Sequence, residues 1–212
     1  MTLQYGKADY WNERYTRDQQ SFEWFQRYSA LKKPIIQNIK KSSNILQVGV
    51  GTSRLQEDMY DDGYRNITSI DISPVAIDLV KKRAEDKQEL KFEVGDVLEL
   101  SRYGEGIYDA VIDKGTMDSI LCGEDAYPNI MKMLAGISKV LKANGVFFEV
   151  SYGIQENRMA YLQQPEYNWT VTVSPVTEAP PKKSQQKAKQ IHAVPTAQNE
   201  EEIHYIYICK KK

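Results

Sequence analysis

Cysteine is nearly absent from these 212 residues. Cys122 and Cys209 stand alone without CxxC spacing, which excludes a disulfide framework and argues against a zinc site. Histidine is equally scarce: His192 and His204 come late in the chain, far from every other motif, so metal chemistry and serine–histidine catalysis are not expected. No apolar run approaches the roughly 18 residues that cross a bilayer, and the opening stretch Met1–Asp9 carries no apolar signal core. A cytoplasmic protein without membrane contact is the expectation. Positive charge is not in excess, with 28 basic against 29 acidic residues for a net charge of −1, which argues against general nucleic-acid binding. Internal repeats are also lacking.

What is present is an ordinary apolar share, 41%, in a chain long enough to bury a core without staples. One domain over 1–212 is expected, and a monomer. Residues 1–43 are an aromatic N-terminal cover (Tyr5, Tyr10, Trp11, Tyr15, Phe22, Trp24, Phe25, Tyr28) leading to a helix over Ser29–Lys41 that is entered through Pro34. The core spans 44–173. Short apolar strands at Asn44–Val48, Ile67–Asp71, Leu90–Val94, Tyr108–Asp113 and Val146–Val150 alternate with helices near Arg54–Gly63, Ser73–Asp86 and Ala126–Leu141. Ser73-Pro74 supplies an N-cap and a first-turn proline. This alternation is that of an α/β fold with a doubly wound, mostly parallel sheet. A short helix at Gln155–Leu162 and a sixth strand at Trp169–Val173 follow. The stretch 174–202 carries four prolines among Lys, Gln, Ala and Glu and reads as a mobile loop. Its lysines Lys182, Lys183, Lys187 and Lys189 read as a solvated linker. Ile203–Cys209 is a seventh strand, antiparallel to its neighbour because only a loop joins them, before a three-lysine tail.

The first strand ends in Gly49-Val50-Gly51 and opens a helix, so a ligand can approach bare backbone and unpaired N–H groups. Asp71 lies 20 residues beyond Gly51 at the end of the second strand, where a carboxylate accepts from both ribose hydroxyls. Dinucleotide and S-adenosylmethionine sites share these features. Arg54 separates them, since it stands where the dinucleotide pattern needs its third glycine. Asp96 ends the third strand at the same edge of the sheet, placed to accept from an adenine amino group, with Val97 at the ring edge.

With these residues in place, the chain resembles class I S-adenosylmethionine-dependent methyltransferases, and within them the translation elongation factor 1-alpha lysine methyltransferase group. The resemblance is carried by Tyr10-Trp11-Asn12-Glu13-Arg14-Tyr15, Trp24-Phe25, the loop Val48–Ser53, Asp71-Ile72-Ser73, Asp96-Val97 and Asp113-Lys114-Gly115-Thr116-Met117-Asp118. It covers about residues 8–173 and resumes at the terminal strand. It implies a seven-stranded Rossmann-like sheet and S-adenosyl-L-methionine as cofactor. Trp11, Tyr15 and Trp24 are then the aromatic cover of the cofactor, Gly49 and Gly51 its loop, Asp71 the ribose acid, Ile72 the adenine-packing neighbour, Asp96 and Val97 the adenine end, and Lys114 a cofactor-contacting lysine. Two departures stand out: the group's loop usually has cysteine where this chain has Val50, and glutamate often stands where it has Asp113.

The implied activity is methyl transfer to a protein lysine, with elongation factor 1-alpha as a candidate substrate. No residue identifies itself as the base; Asp113, Asp118 and Tyr152 are the candidates after strands four and five. The Asn/Asp-Pro-Pro-aromatic motif that serves amide and adenine nitrogens is missing. A small-molecule methyltransferase and a catalytically silent cofactor-binding scaffold are the alternatives.

Overall fold

The computed structural model describes residues 5–176 and 203–212. Five parallel strands carry the chain from β1 (Ile45–Val48) through β2 (Ile67–Asp71), β3 (Lys91–Val94) and β4 (Tyr108–Lys114) to β5 (Leu141–Ser151). Two more, β6 (Trp169–Pro175) and β7 (Tyr205–Lys211), complete a sheet of order β3-β2-β1-β4-β5-β7-β6. The last strand is antiparallel to both β5 and β6, as its loop connection predicts. The winding direction reverses at β1, which pairs with β2 on one side and β4 on the other. The crevice beyond its carboxyl end is therefore where ligands bind in open α/β sheets.

Both faces of the sheet are covered. One packs against α6 (Ala126–Val140) through Ile130, Met133, Leu134 and Ile137, together with a 3-10 helix at Val97–Tyr103. The other packs against α2 (Tyr28–Asn38) and α3 (Leu55–Asp61). Burial on both faces explains why β5 reads as a continuous apolar run: Phe147 points to one layer, and Phe148 and Val150 to the other.

The predicted helix entered through Pro34 starts earlier than expected. Helix α2 begins at Tyr28 with Pro34 in its interior. Buried Tyr28, Leu31, Ile35 and Ile39 form a stripe at helical spacing, and burying such side chains, at about 1.5–3 kcal/mol each, outweighs the roughly 3 kcal/mol of an interior proline.

The C-terminal boundaries also shift. Ser174 and Pro175 pair with Ile206 and Tyr205, so the sixth strand extends into the expected loop. The rest of that loop, 177–202 with its lysines, lies outside the described residues. The expected lysine tail is partly strand. Lys211 Nζ donates to Ser138 O at 2.5 Å and Leu141 O at 2.9 Å, satisfying carbonyls where α6 ends.

Candidate functional site

The glycine loop owes its shape to two left-handed residues, Gly49 at φ +59° and Gly51 at φ +51°. A side chain at Gly49 would overlap the Thr116 hydroxyl, and one at Gly51 would press on the Tyr15 hydroxyl. The loop is braced from beneath by Arg83 of α4 (Pro74–Arg83). Its guanidinium donates to Thr52 O at 3.0 Å and to Ser53 O, and grips the buried Glu57 carboxylate through Nε at 2.9 and 3.0 Å.

Asp71 completes the loop. Its Oδ2 accepts from Gly51 N at 2.7 Å and its Oδ1 from Ser73 N at 2.9 Å. Each buried oxygen has one donor and room for another. Burial pushes its pKa up to about 6 against the lowering effect of those two N–H groups. Ser73 caps α4 by accepting from Ala76 N, with Pro74 in the first turn as the sequence predicts, and donates to Asn12 Oδ1 at 2.6 Å. That bond ties α4 to α1 (Ala8–Arg17).

Helix α1 carries the aromatic cover. Trp11 and Tyr15 stack with centroids 5.7 Å apart, and Trp24 meets Trp11 edge-on at 6.5 Å. Burial and the neighbouring Asp71 charge hold the Tyr15 phenol far above its ordinary range, so it stays a neutral hydroxyl. At the β3 end, Asp96 caps the 3-10 helix through Oδ1, which accepts from Leu98 N at 2.8 Å, and Val97 lies beside it.

One cleft gathers Trp11, Tyr15, Trp24, Gly49, Gly51, Asp71, Ile72, Asp96, Val97 and Lys114, every residue expected at the cofactor. Three further lining residues matter. Arg14 stands with its guanidinium 5.4 Å from the Trp24 ring centre, 5.5 Å from Phe22 and 5.9 Å from Trp11. Among the described residues it has no carboxylate at ion-pair distance. Thr52 and Ser53 hold the segment 18–27, which crosses the cleft as a strap: Phe22 N donates to Thr52 Oγ1 at 3.2 Å. Glu23 accepts from Ser53 Oγ at 2.8 Å, from Arg54 N at 2.5 Å and from Lys114 Nζ at 2.8 Å.

Lys114 therefore lines the cleft but spends its ammonium on Glu23 and on Trp24 O at 3.0 Å. Glu23 carries no sequence signal, because its partners are 30 to 91 residues away. Arg14 lies inside the quoted Tyr-Trp motif, at one helical turn from Trp11, and that spacing alone puts both on one face. Glu23→Gln leaves the nearly buried Lys114 charge unpaired, a change of about 3–5 kcal/mol. Limited trypsin digestion at the exposed Arg17 and Arg27 is expected to run at least tenfold faster than in the wild type. Equal rates would contradict the strap's anchoring.

The three candidate bases are not brought to the cleft. Asp113 is fully buried and caps α5 (Thr116–Leu121), accepting from Thr116 N at 2.8 Å and Met117 N at 2.9 Å. Glu149, beside it in register, leaves both buried carboxylate oxygens without a hydrogen-bond partner among the described residues, and burial together with the neighbouring Asp113 charge raises its pKa well above the ordinary carboxylate value. Asp118 accepts from Ser151 Oγ at 2.9 Å and Arg158 Nη2 at 2.5 Å. Both acids are structural braces, a fate set by partners that the sequence does not reveal. Tyr152 is exposed and lies outside the cleft lining. The remoteness of His204 also holds only along the chain. Its ring lies 4.9 Å from Phe25, and its Nδ1 is 3.2 Å from Gln26 Nε2.

Known proteins are similar to this chain. A family model described as "Methyltransferase domain" matches residues 39–207. The mouse protein named EEF1A lysine methyltransferase 4 is 28% identical over 179 residues, covering 80% of this chain and 70% of that one. Mouse eEF1A lysine and N-terminal methyltransferase is 33% identical over 152 residues, 70% of this chain, and this chain spans only 22% of that protein's length. A solved S-adenosylmethionine-dependent methyltransferase from Methanosarcina mazei has the same fold at 15% identity and a TM-score of 0.60, over 84% of this chain and 96% of that one.

Proposed function

This chain belongs to the methyltransferase-domain family, uses S-adenosylmethionine as cofactor, and we propose that it transfers the methyl group to a lysine side chain of a protein, with elongation factor 1-alpha as the first candidate. The relatives named for that activity support the substrate. Such a substrate goes with a cytoplasmic location.

The observation that carries the cofactor assignment is Asp71, a buried carboxylate with one backbone donor per oxygen and a pKa raised by desolvation. Two ribose hydroxyls supply the donors it lacks. Asp96 and Val97 would take the adenine edge, with Ile72 against the ring. Bare backbone at Gly49 and Gly51 lets the ligand lie close, and Trp11, Tyr15 and Trp24 offer ring faces to a cationic sulfur at about 0.5–2 kcal/mol each. Arg14, the cation in the cleft without an acidic partner among the described residues, would hold the ligand's carboxylate. Arg14→Ala is expected to weaken S-adenosylhomocysteine about 10- to 100-fold by calorimetry and to leave adenosine, which has no carboxylate, unchanged. Equal losses for both ligands would remove Arg14 from that role.

When bound, the cofactor supplies an electrophilic methyl carbon on a cationic sulfur, which departs as a neutral thioether. The protein's task is to align a neutral amine and exclude water. A lysine with a pKa near 10.4 costs about 4–5 kcal/mol to deprotonate at pH 7. Glu23 and Asp113 have both carboxylate oxygens engaged, and Asp118, held through Oδ1 by Ser151 and Arg158, lies outside the cleft lining, so the proton leaves to water and the aromatic cover keeps the cleft dry afterwards.

Intact-mass analysis of purified elongation factor 1-alpha after incubation tests the substrate. The reading expects increments of one methyl group on lysine. An unchanged mass, with calorimetry showing bound cofactor, sinks that substrate.

A further inference from the structure

Beyond the cleft, aromatic rings continue along the carboxyl edge of the sheet. Trp24 in the cleft wall lies 6.2 Å from Phe25, Phe25 lies 4.9 Å from His204, and His204 lies 6.0 Å from Tyr152. The row starts at Gly115, just past β4. There the Phe25 ring packs so closely that a Cβ would meet it at 3.0 Å. It ends just past β5 at Tyr152, which is 53% exposed, with exposed Ile154 and Ile203 close in sequence to its last two members.

Two features single out its middle. Phe25 holds φ +61° in a tight turn closed by Gln26 N to Trp24 O at 2.7 Å. Such strain in a non-glycine residue persists only where the surroundings impose it, and it collects at functional sites. Gln26, only 2% exposed, places Nε2 at the His204 ring, while its buried Oε1 finds no donor among the described residues. A buried carbonyl oxygen without a donor is costly, and a ligand N–H would satisfy it.

We propose that this row is the acceptor channel, in which a substrate lysine lays its aliphatic stem along Tyr152, His204 and Phe25 and gives one amine N–H to Gln26 Oε1. The inference rests on the lysine reading above. Its direction follows from the sheet order: with adenine at β3 and ribose at β2, the reacting carbon lies on the β4 side, where the row begins. Ring faces suit a four-carbon stem. A neutral amide suits the reaction as well, because it orients the amine without stabilising the ammonium as a carboxylate would. The nitrogen lone pair forms the N–C bond as the C–S pair stays with sulfur, and the proton shed beforehand passes to water at the open Tyr152 end.

The test uses full-length protein, elongation factor 1-alpha as acceptor and labelled S-adenosylmethionine, with Tyr127→Ala as a control at another exposed aromatic. Tyr152→Ala is expected to raise KM for the protein acceptor about tenfold, the scale of one lost aromatic contact. Gln26→Leu is expected to lower kcat about tenfold or more, the scale of one misplaced reactant. S-adenosylhomocysteine affinity stays within twofold in the Tyr152 variant, and Tyr127→Ala matches the wild type. If Gln26→Leu also loses cofactor affinity, its strap has been disturbed and the Tyr152 variant decides. Lysine methylation by Tyr152→Ala with wild-type KM and kcat overturns the channel and leaves the function standing. Absence of any lysine label from the wild type overturns both.

Discussion

Asp71→Ala is expected to abolish methyl transfer and to weaken S-adenosylhomocysteine by about a thousandfold. The magnitude follows from two hydrogen bonds to a charged acceptor at roughly 1.5–3 kcal/mol each. The substitution also strips the acceptor from Gly51 N and Ser73 N, which position the loop and the start of α4. Calorimetry reads the affinity, and circular dichroism separates it from unfolding. A dissociation constant within threefold of the wild type contradicts the ribose assignment. A pH dependence follows from the same carboxylate. Its pKa rises from an ordinary value near 3.9 when unfolded to about 6 in the fold. The contribution of this group to stability is thus fully present below about pH 4 and is lost as pH rises through about 6. Ligand hydroxyls favour the ionised form, so S-adenosylhomocysteine affinity should fall as pH drops below about 6 and level off above it. Asp71→Asn removes that slope.

Arg83→Met is expected to cost about 3–5 kcal/mol of stability, because Glu57 is 1% exposed and loses its buried counter-charge. Thr52 O and Ser53 O lose their donor at the same time, so the glycine loop loosens. For a domain of this size the midpoint of thermal unfolding should fall by roughly 6–20 °C. A double change that also replaces Glu57 with Met restores part of the loss, since the only charge then left without its partner is the half-exposed Arg54. A single variant within 2 °C of the wild type would show that the brace is not needed.

How the sequence revealed the fold, and where it did not, has a common physical cause. Strands buried on both faces are written as short apolar runs, so β1, β2, β4 and β5 were legible along with the helices between them. A parallel sheet sends all those strand ends to one edge, which is why Gly49, Asp71 and Asp96 could be gathered from positions alone, whereas Lys114 came only with the family resemblance. Contacts closed by the N-terminal strap were not legible. Glu23 meets Lys114 across 91 residues and Gln26 meets His204 across 178, and no periodicity encodes such pairs. The acids after β4 show the same limit. Asp113 and Asp118 look alike in sequence, yet one caps a helix beside the buried Glu149 and the other is held by Arg158. Residue type indicates what a group can do; its partners determine what it does.

The measurement that bears most directly on the account is transfer of label from S-adenosylmethionine into native cell extract by the wild-type protein and by Asp71→Ala. The account predicts one labelled protein, with label on lysine, that is missing with the variant. Label confined to small molecules, or no label in either fraction while calorimetry shows bound cofactor, would contradict it.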